Sequence, residues 1–172
     1  MRKAALLAVL AVLALVAVGG GLLAARLLRA PASDEERIQG LLVAAARAAE
    51  ERKAGEVVEA VSERFAGEGL DRRGLKQFVA FQILRGEWVS VSIAGTRIEV
   101  AGNAARAAVD VVLARSGKGV KLADLLPAGG SVHRLQLRLE REGGDWMVVR
   151  ARWRPVPVEA ALAGPVLEGD GP

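Results

Sequence analysis

The feature that most constrains the fold is a pair of alternating segments between Val132 and Arg154, joined by two glycines. Side chains of a β-strand point alternately to its two faces, so apolar residues at every second position predict a strand with one buried face. The first segment has this pattern at Leu135, Leu137 and Leu139, and the second has it at Met147, Val149, Ala151 and Trp153. Gly143 and Gly144 suit the tight reversal between them. The stretch predicts an antiparallel hairpin whose apolar face must be covered by other elements.

A second alternating region precedes this hairpin. Val89, Val91 and Ile93 share one face, whereas Ile98 and Val100 share a face at the opposite parity. Such a shift needs one extra residue, and we predict a β-bulge at residues 94–96 that bends the strand. After a turn at Gly102-Asn103, residues 107–113 alternate again. Together the two regions predict a curved, four-stranded antiparallel sheet.

Three helical segments come before the strands. Ser33 followed by three acidic residues is typical of a capped helix start, and apolar positions at helical spacing continue to a stop at Gly55. A second helix is predicted over residues 56–65, and a third, capped by Asp71, runs to about Arg85. The inward positions predicted for the third helix are Leu75, Phe78, Val79 and Ile83. The fold class predicted is therefore α+β, with about three helices packed on the sheet.

The N-terminal region predicts a membrane segment. Residues 4–25 are uncharged and rich in Ala, Leu and Val, and a helix of this length spans the roughly 30 Å hydrocarbon core of a bilayer. We expect residues 1–32 to form a transmembrane anchor and linker, with the domain on the periplasmic or extracellular side of a single-pass inner-membrane protein. The alternative is a signal peptide, with Arg2 and Lys3 as its charged start and Ala30-Pro31-Ala32 as its cleavage site, and a secreted domain.

Charge and composition exclude several classes of function. Four of the 24 basic residues precede Ser33 and all 20 acidic residues follow it, so the remaining chain is balanced. A balanced domain lacks the basic footprint of a nucleic-acid-binding protein. The chain has no cysteine, which excludes disulfides and thiolate metal sites. We expect no cofactor, no metal and no nucleic-acid partner.

The helix-then-meander order resembles the nuclear transport factor 2-like superfamily, also described as SnoaL-like or cystatin-like α+β rolls. The resemblance covers residues 33–157 and is carried by the stretch from Leu125 to Pro155, LLPAGGSVHRLQLRLEREGGDWMVVRARWRP. It implies a roll in which helices and a curved sheet enclose an apolar cavity, and together with the predicted anchor it indicates a membrane-anchored bacterial member. The superfamily contains both enzymes and binding proteins, so the resemblance implies no activity. Some enzymes of the superfamily, such as ketosteroid isomerase, use an Asp general base with tyrosine partners, and this chain has no tyrosine to match them. Residues 158–172, which follow the resemblance, are expected to form a disordered tail.

One histidine and several apolar residues are the candidate ligand-binding groups. By parity His133 shares the leucine face, where imidazole could act as an acid, a base or a ligand-orienting group. Its alternative role is that of a partly solvated residue near a strand end. The other candidates, which would line an apolar pocket, are Trp153, Phe78, Phe81 and Val91. Ordinary core packing explains the aromatic residues equally well.

Two functions remain open from the sequence. The first is a membrane-anchored, non-enzymatic binding or protein-interaction module, dimerising through its sheet. The second is an exported carrier or enzyme for a small apolar ligand, with His133 as the polar group of its cavity. The absence of a recognisable catalytic motif makes an enzyme the less favoured of the two.

Overall fold

A computed structural model describes residues 32–85, 90–114 and 130–169. Its elements in chain order are α1 (Asp34–Glu50), α2 (Ala54–Val57), α3 (Arg72–Arg85), β1 (Ser90–Ala101), β2 (Ala104–Ala114), β3 (Ser131–Glu142), β4 (Asp145–Val156) and α4 (Val158–Leu162). The strands form one antiparallel sheet in the order β1-β2-β3-β4. The predicted α+β class and four-stranded antiparallel sheet are confirmed.

The main hydrophobic core lies between α1, the segment after α2, and one face of the sheet. We call this the inner face. Ile38 of α1 and Leu139 of β3 are completely buried in this core. The other large buried residues that pack with them are Val58, Val61, Phe65, Val109, Trp146 and Val148. Small residues of β2, Ala105 and Ala107, let the helical layer approach the middle of the sheet. The alternating pattern therefore produces the buried face that it predicts.

Two bulges set the register of the sheet. Ile93 pairs with Val111 and Gly95 pairs with Asp110, which leaves Ala94 as the extra residue and confirms the predicted bulge. A second bulge, in β4, was not predicted. Because the register shifts opposite Arg138 and Leu139, Val149 becomes the extra residue.

This second bulge corrects the predicted faces of β4. Trp146 and Val148 are the buried core residues at its start, whereas Met147 and Val149 are only partly buried. The prediction that Met147 and Val149 point into the core is therefore wrong. Beyond the bulge the predicted parity holds, and Ala151 and Trp153 face the helices.

The predicted second helix is mostly absent, since only residues 54–57 are helical. The following segment pairs with the edge of β4: the Ser62 amide donates to the Val148 carbonyl at 3.0 Å, and the Val148 amide donates to the Ala60 carbonyl at 2.7 Å. These bonds satisfy the edge of the sheet, and they hold Val58, Val61 and Phe65 in the core without a helix. Helical spacing of apolar residues was thus an incorrect guide here.

Residues 158–169 lie against the sheet as helix α4 and an extended segment, in the region where a disordered tail was predicted. Helix α4 covers the sheet face opposite the helices, which we call the outer face. There Ala161 packs in a second buried cluster with Val112, Ala114, Val132 and Val156. These contacts bury apolar side chains that the strands would otherwise expose.

None of the described helices is long and apolar enough to cross a membrane. The predicted span over residues 4–25 lies outside the described residues.

Candidate functional site

The structure places the three predicted site residues of the sheet on the inner face. Val91 of β1 is buried and pairs with Leu113, His133 of β3 pairs with Val111, and Trp153 of β4 pairs with Leu135. These positions lie within a few residues of one another along the strands. The alternating pattern therefore places these residues on one face, with Val91 and Trp153 on the opposite edge strands β1 and β4 and His133 between them on β3.

Helix α3 brings Phe78 to this region. Its ring stacks on Trp153 with 5.8 Å between ring centroids and an angle of 28° between ring planes. Asp71 positions the start of α3, because its carboxylate accepts a hydrogen bond from the Gly74 amide at 2.7 Å. The Phe78–Trp153 stack is the contact that joins α3 to β4 at the predicted site.

A row of exposed apolar residues runs along α3 from Phe78. Phe78 is 37% exposed, Phe81 56% and Leu84 84%. We call these three residues the apolar ridge. Their spacing of three places them along one side of the helix. Of the four positions predicted to face inward on this helix, Ile83 is buried and Leu75 packs against the main core, while Phe78 contacts Trp153 but remains partly exposed.

Phe81 and Leu84 belong to the surface rather than to an enclosed pocket. The guanidinium of Arg85 lies 5.6 Å from the centroid of the Phe81 ring. Leu84 was missed by the sequence analysis, although its spacing from Phe78 and Phe81 was a signal that could have found it.

His133 is half-buried and has a hydroxyl neighbour. Its Nε2 lies 3.2 Å from the Ser131 Oγ. Burial lowers the pKa of His133 below its usual value, since the charged imidazolium loses solvation. Among the described residues no carboxylate forms an ion pair with it.

Asp110 and Arg134 form a buried ion pair on the outer face. Arg134 donates from Nε and Nη2 to the two carboxylate oxygens of Asp110 at 2.7 and 2.8 Å. It also donates to the carbonyls of Ala160 and Gly164 at 3.0 and 3.1 Å. Asp110 points away from the leucine face and is completely buried beneath the C-terminal segment. The direct cross-strand pairing of these residues was the missed signal.

Beside this pair the outer face carries a group of arginines, which we call the arginine face. Its members are Arg106 of β2, Arg138 of β3, and Arg150, Arg152 and Arg154 of β4. A shallow cleft of about 30 Å³ runs between these strands and the tail residues Leu167 and Glu168. Arg154 donates to the Glu168 carboxylate at 2.7 Å.

Larger clefts lie away from the predicted site. One of about 480 Å³ is lined by α1 residues and Ile98, and one of about 340 Å³ lies near Trp146. Neither is lined by His133 or Trp153. In the part of the chain that the structure describes, no three His, Asp or Glu side chains converge as metal ligands.

Comparison with solved structures identifies the fold. A protein of unknown function with a cystatin-like fold from Nostoc punctiforme superimposes with a TM-score of 0.57, at 11% identity over 74% of this chain and 94% of its own. An NTF-2-like protein of unknown function from Shewanella oneidensis gives 0.52, at 15% identity over 70% and 98%. The chain has the nuclear transport factor 2-like α+β roll fold. A function-unknown protein from Mycobacterium tuberculosis gives 0.50, at 22% identity over 70% of both chains.

No protein-family model and no curated sequence matches the chain. At these identities the structural similarity shows the fold and assigns no activity. The resemblance seen in the sequence is thus confirmed at the level of the fold.

Proposed function

We propose that this protein is a membrane-anchored, non-enzymatic interaction module that binds an apolar segment of a partner protein through the apolar ridge. The observation that carries the proposal is the exposure of Phe78, Phe81 and Leu84 along one side of α3. Contiguous exposed apolar residues are unusual on monomeric proteins and mark interaction sites. Aromatic anchors also contribute strongly to the cores of protein interfaces.

The surroundings of His133 support a binding role over catalysis. A general acid or base is commonly oriented by a carboxylate. The neighbour of His133 is the Ser131 hydroxyl, whereas Asp110 lies on the opposite face with both oxygens bonded to Arg134. Within residues 32–85, 90–114 and 130–169, the imidazole therefore has no carboxylate partner of the kind that a catalytic pair uses.

The apolar ridge can be tested with Nile red, an uncharged dye that fluoresces on apolar surfaces. We expect the full-length chain to enhance its fluorescence, and the F81S/L84S variant to lose most of this enhancement. V43S is the matched control, because Val43 is also an exposed apolar residue (51%) but lies on α1. Equal loss in both variants would contradict the proposal. A Leu-rich amphipathic peptide that displaces the dye from the wild type alone would support it.

Membrane attachment is supported by the uncharged residues 4–25. We expect the full-length chain to stay in the membrane fraction after an alkaline carbonate wash, and its intact mass to include residues 1–32. Recovery of a mature chain that begins at Ser33 would reject the anchor in favour of secretion after cleavage.

A second candidate function is a carrier or enzyme for a small apolar ligand inside the roll. It is favoured by the shared inner face of His133, Val91 and Trp153, with Phe78 stacked on Trp153. Because the chain has one histidine, the proton NMR spectrum of the untagged protein contains a single histidine Hε1 signal. Laurate should shift this signal if it enters the roll, and leave it unchanged if only the ridge binds apolar molecules.

A homodimer through the outer face was also expected from the sequence. We do not include it in the proposal, because two copies would bring their arginine faces together. Residues 158–169 also cover part of that face.

A further inference from the structure

The arginine face carries more positive charge than the neighbouring carboxylates neutralise. Arg106, Arg138 and Arg150 lie directly opposite one another on three adjacent strands. Like charges in such positions repel each other. Arg106 binds Glu99 at 3.0 Å and Arg138 approaches Glu140 at 3.6 Å. The row thus retains an uncompensated cation at its β4 end.

Two arginines of this face are exposed and available. Neither Arg150 nor Arg152 has a carboxylate at ion-pair distance within the described ranges. Both project from β4 beside the shallow cleft that also contacts Leu167 and Glu168. An anionic group entering this cleft would meet two exposed guanidinium groups.

The C-terminal segment shows how a peptide is held at this face. The Gln136 side chain contacts the peptide backbone twice: its Nε2 donates to the Val166 carbonyl at 2.8 Å, and its Oε1 accepts from the Glu168 amide at 3.4 Å. The carboxylate of Glu168 then binds Arg154. The hydrogen bond from Arg154 lowers the pKa of Glu168, and the positive charges of Arg152 and Arg134 lower it further. A side-chain amide thus binds the backbone while arginine binds the acidic side chain.

We propose that the arginine face is a binding site for an extended acidic peptide of a partner protein, and that residues 164–169 occupy part of this site within the same chain. The incoming peptide pairs its carboxylates with Arg150 and Arg152, and it replaces residues 164–169 at Gln136 and Arg154. The site is separate from the apolar ridge and does not depend on the function proposed above.

A peptide fits these contacts better than other anionic partners. Gln136 bonds to a backbone carbonyl and a backbone amide two residues apart, a pairing that a phospholipid headgroup does not offer. A second copy of this chain is disfavoured because its own arginine face has the same sign of charge. The occupant inferred is therefore an acidic segment that is extended at the Gln136 contact.

Fluorescence anisotropy with a labelled decapeptide of alternating Glu and Val tests the proposal on the full-length chain at low salt. We expect R150Q/R152Q to bind about tenfold more weakly than the wild type, since two charge-assisted contacts are removed. R52Q/R73Q is the matched control, because it removes the same charge from exposed residues elsewhere and should bind like the wild type. The corresponding Gln-Val peptide should not bind.

Competition by the cis segment gives a second measurement. E168Q removes the carboxylate that occupies Arg154, so this variant should bind the acidic peptide more tightly than the wild type. Circular dichroism of each variant establishes that it is folded.

Three outcomes would overturn the proposal: equal weakening by R52Q/R73Q, unchanged binding in R150Q/R152Q, or arginine-dependent binding to phosphatidylserine vesicles with none to the peptide. The F81S/L84S variant should bind the acidic peptide normally. Loss of Nile red binding therefore leaves this result unaffected, and the two proposals can fail separately.

Discussion

Asp110 and Arg134 show how one buried contact connects the sheet to the C-terminal segment. The pair faces away from the main core, and yet both side chains are almost fully removed from solvent. Arg134 satisfies the carboxylate and two tail carbonyls at once, so the ion pair is hydrogen-bonded on several sides. This is the arrangement in which a buried charge is tolerated.

We expect Arg134→Met to lower the free energy of unfolding by about 3–5 kcal/mol, because it leaves Asp110 buried without a partner. Urea unfolding followed by circular dichroism measures this change. Replacing both residues, as in D110V/R134M, should cost less than the single change, since no unpaired charge remains. A double variant as unstable as the sum of the two single variants would contradict this explanation.

Gly67 is required for close contact between the segment after α2 and β4. A Cβ at this position would lie 2.4 Å from the Ala151 carbonyl oxygen, which is backbone and cannot rotate away. Gly67→Ala should therefore destabilise the protein by about 1–3 kcal/mol. Gly40→Ala is the control: its Cβ meets nothing within 4 Å and it lies within α1, so it should stabilise by up to about 1 kcal/mol. Thermal unfolding of the two variants should shift in opposite directions.

His133 should make stability depend on pH near neutrality. Burial lowers the pKa of His133 in the folded state. At pH values between that lowered pKa and about 6.5, the unfolded chain therefore binds more protons than the folded chain. The free energy of unfolding therefore decreases as the pH falls through this window, and the favourable contribution is complete above the unfolded pKa. His133→Gln should show a smaller loss of stability between pH 7.5 and 5. Identical pH profiles for both proteins would argue against partial burial of the imidazole.

Helix α4 illustrates, at the scale of elements, how a short terminal segment becomes part of the fold. It has only five residues and would not be stable alone. Its order comes from Ala161, which packs against Val112, Val132 and Val156 on the outer face. The β4 edge is completed in a similar way by the segment over residues 60–66, through backbone bonds rather than a new strand.

Ala161→Asp should release α4 and the segment that follows, because it places a charge in the outer cluster. We expect faster hydrogen exchange of the Glu168 amide and a lower unfolding midpoint. Leu162→Asp is the matched control, since Leu162 is 63% exposed and should tolerate the same change. Equal effects of the two substitutions would show that the packing of Ala161 is not what holds the tail.

For the whole molecule, both hydrophobic clusters are built from residues between Ile38 and Ala161. We therefore expect the chain from Ala32 to Pro172 to fold cooperatively after residues 1–31 are removed. Its thermal unfolding, followed by circular dichroism, should give a single transition. A non-cooperative transition would show that the domain needs the N-terminal residues to complete its core.

The elements that the sequence predicted well are those with strict local patterns. Alternation in β1 and β3 identified the strands, a parity shift identified the bulge at Ala94, and Asp71 identified the start of α3. The sequence failed where a segment satisfies both helical spacing and strand-edge pairing, as in residues 58–66. It also failed at Val149, because the β4 bulge depends on pairing with β3.

Periodicity along the chain therefore predicted the strands, the α+β class and the sheet face that carries His133 and Trp153, whereas the roll fold was implied by the resemblance to the nuclear transport factor 2-like superfamily. Only the tertiary structure determined that α4 covers the outer face, that Asp110 meets Arg134 beneath it, and that Glu168 reaches Arg154. Such contacts join residues distant in sequence, and their stability arises from burial between elements, which no local pattern records.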